Sequence, residues 1–354
     1  MTTHQFDDAI HYAQQHEVPW PRDPHDAPLR WGVHHADPPP FNRLRGPVHP
    51  RGPVSGVICR HGQELASWGE PERADLTFSV AKTCLALLAG VASARGLLPD
   101  VNEPVVNRVP GIGFDNGHNR LVTWAHLLEQ TSEWQGTCFG MPDQIEHHRQ
   151  VTHDPKPSTG RKGEARILNQ PGTYWEYNDV RINQLALALL CLFEQPLPDV
   201  FREAIMCPLG ASDGWQWSGY ADAWLDIAGR RMQSVPGGSH WGAGLSISAR
   251  DLALIGHLLL NDGLHNGVPL VAPGWVRRMQ EPCAIAPFYG WLAWLNRDGR
   301  LFSDASHDSY FMIGAGGHYV WIDPETNAVV VVRWLDPEFA KGFVTRVCQA
   351  HQSN

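Results

Sequence analysis

The sequence predicts an α+β fold in which one antiparallel sheet is formed from both chain ends and is flanked by helices, with a mainly helical lobe inserted. Two observations carry this prediction. Short runs rich in β-branched and aromatic residues occur at 54–68 and again at 288–335, whereas residues 80–230 show apolar side chains at helical spacing. Strands at both ends with helices between them favour a single sheet that the two ends share.

The first part of the chain predicts an arm, a hairpin and a helix. Residues 8–17 have the pattern of a short helix, and 18–52 contain so many prolines that we expect an extended arm over the surface. The runs 54–59 and 64–68 are joined by a short turn, which indicates a β-hairpin. Helical spacing then predicts a helix over 80–95.

The remaining elements follow from the same patterns. Helices are predicted at 122–130, 181–194, 199–206 and 245–263. Strand signals follow at 288–295, 309–313, 317–323 and 328–335, before a final helix at 337–350. Ser248 is a good N-cap within the 245–263 segment, and the polar stretch 151–166 indicates a mobile loop.

These elements divide the chain into three predicted parts. Residues 1–52 form an N-terminal helix and extended arm. Residues 53–85 and 235–354 form the α/β sheet domain, and residues 86–234 form the helical lobe. At 354 residues and 43% hydrophobic content, the chain is long enough to bury a large core.

Composition excludes several classes of function. The net charge of −9 and the absence of a basic run argue against a nucleic-acid partner. No apolar run is long enough to cross a bilayer, and the N-terminus lacks the features of a signal peptide, so we expect a cytoplasmic protein without membrane contact. Seven scattered cysteines suggest buried thiols, and nineteen histidines without metal-ligand spacing predict no metal or other cofactor. The oligomeric state is not predicted.

The residues around Ser79 have the features of an activated nucleophile. Ser79 lies three residues before Lys82 at the start of the predicted 80–95 helix, so the two side chains share one face. Free N–H groups of a first helical turn favour developing negative charge, and a serine hydroxyl needs a neighbouring base to become a good nucleophile. The alternative is a serine cap beside a surface lysine, and on the motif alone the two interpretations are evenly matched. The chain has only four lysines among many arginines, and because lysine can lose its proton whereas arginine cannot, the catalytic interpretation is favoured.

A second segment, NQPGTYWEYND at 169–179, has a Pro-Gly turn followed by aromatic residues just before a helix. In combination with the SVAK motif at 79–82, this order resembles the serine β-lactamase and penicillin-binding-protein superfamily, in particular class C β-lactamases, family VIII carboxylesterases and 6-aminohexanoate-dimer hydrolases. The resemblance covers roughly residues 53–335. It implies a β-lactamase/transpeptidase-like fold.

The resemblance places the tyrosine of the family's YxN motif at Tyr177, against the Ser79/Lys82 pair, with Tyr174 as a fallback. Holding a tyrosine as a phenolate at neutral pH costs roughly 4 kcal/mol, of which a lysine cation in contact supplies only part. We therefore expect the Ser79 proton to move into the Tyr177/Lys82 pair during attack, rather than a standing phenolate.

A late segment, MIGAGG, begins at Met312 and resembles the family strand that carries Lys-Thr-Gly, His-x-Gly or Trp-Gly-Gly. The resemblance implies an oxyanion hole formed by the backbone N–H groups of Ser79 and Ala315, with Gly314 and Gly316 leaving room for the substrate. Met312 replaces the family's Lys, His or Trp. Since the cation there binds the substrate's carboxylate in β-lactamases and penicillin-binding proteins, its absence favours an uncharged ester or amide.

Two tryptophans and an acid complete the predicted substrate contacts. Trp134 ends a TSEW stretch that resembles a loop after the family's second helix, and Trp241 opens a glycine-rich entry into a helix. Both lie in predicted loops beside glycines, where an apolar acyl or alcohol group would fit. Asp179 stands at the position of the YxN asparagine, and an equal alternative is that it caps the helix that begins at Val180.

From these features we expect a serine hydrolase that cleaves a small ester or amide through an acyl-Ser79 intermediate. Three alternatives remain open: a β-lactamase or D-amino-acid peptidase, an acyltransferase in biosynthesis, and a non-catalytic binding protein of the same fold. Met312 and Asp179 favour the binding protein, whereas Ser79, Lys82 and Tyr177 oppose it.

Overall fold

The computed structural model describes residues 5–352, in which helices pack on both faces of a six-stranded antiparallel sheet. The strands are β1 (Ser55–Arg60), β2 (Gln63–Trp68), β3 (Asp75–Leu76), β4 (Thr137–Cys138), β5 (Met141–Pro142), β6 (Gln216–Ser218), β7 (Trp224–Ile227), β8 (Arg230–Gln233), β9 (Gly244–Ile247), β10 (Leu264–His265), β11 (Val268–Pro269), β12 (Trp294–Leu295), β13 (Tyr310–Gly314), β14 (His318–Asp323) and β15 (Ala328–Arg333). The α-helices are α1 (Asp7–Gln15), α2 (Val80–Ala94), α3 (Trp124–Leu128), α4 (Asp179–Phe193), α5 (Leu197–Phe201), α6 (Ala249–Leu260), α7 (Trp275–Met279) and α8 (Ala340–Gln352).

The main sheet joins the two ends of the chain. Its strand order is β12-β13-β14-β15-β1-β2, so the early hairpin pairs with the last strand. In this register Val57 of β1 lies opposite Val331 of β15. The predicted α+β fold, with a sheet formed from both chain ends, is therefore confirmed.

The valine-rich strand β15 is covered on both of its faces. Val329 lies against α6, where a Cβ on Gly256 would approach it to 2.5 Å, so the helix can pack this closely only because Gly256 has no side chain. Val330 and Val332 line the opposite side together with Phe343 of α8. Neighbouring residues of a strand point to opposite faces, and a continuous apolar run is therefore satisfied by two helical layers.

Helix α2 is central, with every residue from Val80 to Ala92 buried. The residue that precedes Ser79 has an unusual backbone, because Phe78 has a φ of 51°, in the left-handed region that non-glycine residues rarely adopt. The Phe78 ring is held at 5.7 Å from Trp31 of the arm and 6.4 Å from Trp334. Packing from both ends of the chain thus stabilises the turn that presents Ser79.

Several predicted boundaries need correction. The predicted strand 288–295 is regular only at β12, and the predicted helix 245–263 begins at Ala249, because its first residues form β9 and pair with β3 and β6. Ser248 caps that helix as predicted, with its Oγ accepting from the Asp251 N–H at 3.0 Å. The segment predicted as a helical lobe also contains the short strands β4 to β8.

Two irregular segments are more firmly attached than their composition predicts. The proline-rich segment 18–52 has short 3₁₀ turns at Pro28–Arg30 and His34–Ala36, and it packs Trp31 into the interior instead of only covering the surface. The loop 151–166 is tied to the lobe by Arg166, which pairs with buried carboxylates.

The described chain agrees with two expectations from composition. All seven cysteines are free thiols, and four of them are buried. Within residues 5–352, no helix combines the length and the apolar character needed to cross a membrane.

Candidate active site

A cavity of about 460 Å³ opens where the arm, the start of α2 and the β13–β14 turn meet. Ser79 and Tyr177 line it, together with parts of the arm, of the segment that follows residue 148 and of the β13 end. Ser79 is 8% exposed, and its neighbour Lys82 is only 1% exposed. Ser79 therefore lines the cavity, and Lys82 is buried beside it.

Lys82 is in direct contact with the nucleophile candidate. Its Nζ donates to Ser79 Oγ over 2.8 Å. Ser79 occupies the N-cap position of α2, yet its side chain makes no capping hydrogen bond. Since the serine does not cap and the lysine is not on the surface, the alternative of a cap beside a surface lysine is wrong.

Asp179 links Lys82 to a larger group of charges. Lys82 Nζ pairs with Asp179 Oδ1, while Asp179 Oδ2 accepts from Arg149 Nη1 at 2.6 Å and lies 3.1 Å from His240 Nδ1. Burial would raise the pKa of Asp179, but the attraction of Arg149 and then of Lys82 outweighs it and holds that pKa well below its usual range. Asp179 is therefore an anion that stabilises positive charge on its neighbours.

The alternative of Asp179 as the helix cap is wrong. Asn178 caps α4, since its Oδ1 accepts from the N–H groups of Val180 at 3.0 Å and Arg181 at 3.2 Å. Asp179 is 1% exposed and lies behind Lys82, away from the cavity wall. Its position favours an action through Lys82 over the direct substrate contact that was predicted.

Tyr177 contacts Lys82 through its ring. Lys82 Nζ lies 4.7 Å from the ring centroid, and the Arg149 guanidinium lies 5.3 Å from it. The Tyr177 hydroxyl makes no hydrogen bond to any residue within 5–352, and Tyr177 lines the same cavity as Ser79. Tyr174 packs against Lys156 and does not line the cavity, which argues against the fallback assignment.

The predicted oxyanion donors lie on the cavity wall and are free. The N–H groups of Ser79 and Ala315 donate to no acceptor in the described part of the chain, whereas the next N–H, that of Val80, already donates to a carbonyl. Gly314 lies so close to the serine turn that a Cβ there would be 2.1 Å from the Thr77 oxygen. Only glycine permits this approach, which brings the strand end beside Ser79. Gly316 also lines the cavity.

The predicted tryptophan wall is wrong for both residues. Trp134 is 1% exposed, and its indole N–H donates to the Gly113 oxygen inside the lobe at 2.9 Å. Trp241 is fully buried, and its indole N–H donates to Asp37 at 2.7 Å. Each ring is used in the core, where an indole is satisfied once its single donor has a partner.

Other residues form the apolar wall of the cavity. Trp20 of the arm, Trp294 of β12 and Ile313 of β13 line it. Met312 is 1% exposed and does not line the cavity, so β13 presents Ile313 beside Gly314. The arm, for which no functional role was predicted, thus supplies part of the site.

A cluster of buried charges behind Ser79 was not predicted from the sequence. We define the site cluster as Asp37, Lys82, Glu146, Arg149, Lys162, Asp179 and His240. The scarcity of lysine in an arginine-rich chain was the one sequence signal for this cluster, because two of the four lysines belong to it. Apart from Asp179 at the start of α4, its other members come from segments outside the α-helices and strands, whose positions in space are not indicated by periodicity.

Three members of the site cluster have the geometry of metal ligands. Ligand atoms of Asp37, Glu146 and His240 lie within 4.8 Å of one another. The ammonium of Lys162 is paired with Asp37 and lies 2.9 Å from Glu146 Oε1. A lysine therefore already occupies the space between the two carboxylates, and Arg149 also pairs with Glu146.

One known protein family matches most of this chain. The model of the Beta-lactamase family matches residues 55–338. A search of curated proteins gives no match.

Solved structures share the fold at low sequence identity. A family VIII carboxylesterase is 17% identical, with a TM-score of 0.60 over 85% of this chain and 92% of that one. EstCE1, described as a hydrolase with promiscuous acyltransferase activity, is 16% identical, with a TM-score of 0.59 over 84% and 93%. A penicillin-binding protein homologue from Caulobacter crescentus is 14% identical, with a TM-score of 0.59 over 91% and 95%.

Proposed function

The chain belongs to the Beta-lactamase family, and we propose that it is a serine hydrolase that cleaves a small ester or amide through an acyl-Ser79 intermediate. The observation that carries this proposal is the 2.8 Å hydrogen bond between buried Lys82 and a Ser79 hydroxyl that opens to a cavity. A buried lysine in direct contact with a serine hydroxyl is suited to activating that serine as a nucleophile.

In the proposed reaction, Ser79 Oγ attacks the substrate carbonyl carbon. The new oxyanion is bound by the N–H groups of Ser79 and Ala315. The Ser79 proton passes into the Tyr177/Lys82 pair, whose reactive form has one of its two groups deprotonated. Arg149 lies over the tyrosine ring, where its positive charge stabilises negative charge on the phenol oxygen. The proton then moves to the leaving group, and water cleaves the acyl-enzyme by the same steps in reverse order.

The placement of Met312 favours an ester or amide over a β-lactam. The late strand offers Ile313 and Gly314 to the cavity, and it has no cation at the position where β-lactamases and penicillin-binding proteins bind a carboxylate. A family VIII carboxylesterase and a hydrolase with acyltransferase activity among the similar structures agree with ester chemistry.

Labelling with a fluorophosphonate probe tests the nucleophile. We expect the native protein to be labelled, Ser79→Ala to be unlabelled, and Ser303→Ala, at an exposed serine, to be labelled at the native rate. The proposal is wrong if the native protein is not labelled or if Ser79→Ala is labelled equally well.

Turnover separates the candidate reactions. We expect p-nitrophenyl butyrate to be hydrolysed in preference to nitrocefin. The reverse preference would indicate a β-lactamase, and ester formation with added alcohols would indicate acyl transfer. Labelling without turnover of any substrate would favour a binding protein.

A further inference from the structure

Only some of the hydrogen-bond donors of Arg149 have a partner in the described part of the protein. Its Nη1 donates to Asp179 at 2.6 Å and also pairs with Glu146. Its Nε and Nη2 donate to no acceptor within residues 5–352, and neither atom is sealed from solvent. The side chain is nevertheless only 9% exposed, and it lines the cavity that holds Ser79. A guanidinium in this state presents free donors to whatever occupies the cavity.

The cavity wall is unlike the rest of the molecule in charge. The chain carries 37 acidic and 28 basic residues, yet none of the described residues that line the cavity is an aspartate or a glutamate. Arg149 and Lys162 do line it, with Asp37, Glu146 and Asp179 behind them. This order places the positive side of each ion pair toward the substrate.

Arg149 differs from Lys162 in its capacity to bind a ligand. The Lys162 ammonium is held between Asp37 and Glu146 and lies 3.4 Å from His240, so its donors are directed into the protein. Arg149 is fixed at one nitrogen by two buried carboxylates, which orients its planar group at little further entropic cost. Guanidinium edges bind carboxylates through paired, charge-assisted hydrogen bonds.

We propose that Arg149 is an anion-binding residue of the active site and that the substrate carries a carboxylate near its scissile ester or amide. This inference rests on the proposed serine-hydrolase function and makes its substrate class more specific. Met312 removes the cation from the late strand, and Arg149 supplies one from the segment that follows residue 148. An anionic ester or amide therefore replaces the uncharged one that Met312 alone favoured. The cavity therefore selects an anionic substrate, accepts a neutral one less well and repels a cationic one.

Matched esters test the selectivity. One set consists of the p-nitrophenyl monoester of glutaric acid, its neutral isostere with an isopropyl group in place of the carboxylate, and a cationic analogue with a trimethylammonium group. A second pair places the carboxylate on the leaving group, as butyrate esters of hydroxybenzoic acid and of its methyl ester. In at least one set we expect kcat/KM of the anionic ester to exceed that of its neutral counterpart by about tenfold or more, because charge-assisted hydrogen bonds are the stronger class.

Variants assign the preference to Arg149. Arg149→Met should reduce the ratio of anionic to neutral kcat/KM to about one, and Arg149→Lys should retain part of it. Arg161→Met, which removes an equal charge from an exposed side chain on the neighbouring loop, should keep the native ratio. The inference is overturned if the native protein shows no anionic preference in either set or if Arg149→Met retains that preference.

A binding measurement separates failure of this inference from failure of the proposed function. Monomethyl glutarate and its neutral dimethyl counterpart are titrated into Ser79→Ala and Ser79→Ala/Arg149→Met, with ligand-observed NMR as the readout. Binding of the anion that weakens about tenfold or more without Arg149 supports the subsite even if no ester is hydrolysed. Equal affinity in both variants, or no binding to Ser79→Ala, contradicts the subsite even if Ser79 is labelled. Thermal unfolding of each variant confirms that it is folded.

Discussion

Two clusters of buried charges flank the start of α4, and only one of them reaches the cavity. The site cluster includes Asp179, the first residue of α4, and its member Lys82 contacts Ser79. The second, which we call the lobe cluster, is centred on Arg181, the third residue of α4. It consists of Glu133, Asp143, His147, Arg166, Glu176 and Arg181.

The two clusters use their arginines differently. In the lobe cluster all three guanidinium nitrogens of Arg181 donate, to Asp143 at 2.7 and 3.1 Å and to Glu133 at 2.9 Å. In the site cluster Arg149 donates through one nitrogen and keeps two free. Burial is similar, since the side chains are 2% and 9% exposed.

We expect this difference to separate a structural cluster from a functional one. A satisfied buried ion pair fixes a conformation, whereas a buried charge with unused donors beside a cavity is available to a ligand. Burial and charge alone do not distinguish them. Changes in the site cluster should therefore alter reactivity, and changes in the lobe cluster should alter stability.

The largest effect is expected when Lys82 is changed to methionine in the site cluster. Lys82→Met removes the donor to Ser79 Oγ and leaves Asp179 with its contacts to Arg149 and His240. We expect fluorophosphonate labelling to slow by about a thousandfold or more, as for other activated nucleophiles that lose their partner. The melting temperature should stay close to that of the native protein, because the change acts mainly on the labelling rate. A labelling rate within a few fold of native would show that Lys82 only fills space.

The lobe cluster should show the opposite result when Arg181 is changed to methionine. Arg181→Met leaves Glu133 and Asp143 buried with fewer partners, which should lower the free energy of unfolding by about 3–5 kcal/mol. The labelling rate per folded molecule should stay near the native value. Urea unfolding and labelling of the folded fraction measure the two effects. Loss of labelling with unchanged stability would reverse the roles of the clusters.

A smaller, directional effect is expected from Asp179→Asn. The amide keeps the shape of the side chain and removes the charge that lies against Lys82. An anion favours the protonated form of any base beside it, so the acidic limb of the labelling rate should move to lower pH when the charge is lost. Comparing pH–rate profiles of native protein and Asp179→Asn measures the shift. Asp143→Asn in the lobe cluster is the matched control and should leave the limb in place.

The contact between Ser79 and Lys82 could be predicted from the sequence because it is local. Ser79 and Lys82 are three residues apart on one helix, so their contact follows from helical geometry. The terminal strands also show local patterns, which is why a sheet from both chain ends was predicted correctly.

The rest of the site depends on contacts that local patterns do not encode. Asp179 is 97 residues from Lys82, and Arg149 reaches it from a segment without periodicity. Trp134 and Trp241 were misassigned because neighbouring glycines suggest loops and do not show whether an indole is covered. Whether Asp179 caps a helix or pairs with Lys82 depends on Asn178, which already supplies the cap.

The smallest predicted effect is a loss of stability at acidic pH, caused by histidines of the arm and of the cavity lining. Burial, followed by the charges of His35 and His240, lowers the pKa of His34 to about 4, and burial lowers the pKa of His153 to about 4. His34 belongs to the arm, and His153 lines the cavity against Trp294. The arm and the cavity lining therefore each contain a histidine that is neutral in the folded protein at neutral pH.

The sign of the pH effect follows from proton binding. The unfolded chain protonates these histidines near pH 6.5 and the folded chain only near pH 4, so between those values the unfolded state holds more protons and acid favours it. From pH 7 to pH 5 the protonation of His153 should cost about 2 kcal/mol of unfolding free energy, and that of the less deeply buried His34 should cost less. His153→Phe keeps an aromatic ring against Trp294 but cannot be protonated. Between pH 7 and pH 5 its free energy of unfolding, measured with urea, should therefore fall by about 2 kcal/mol less than that of the native protein. His25→Gln, at an exposed histidine, should behave as native. An equal loss in His153→Phe and native protein would mean that acid acts elsewhere than on this cavity wall.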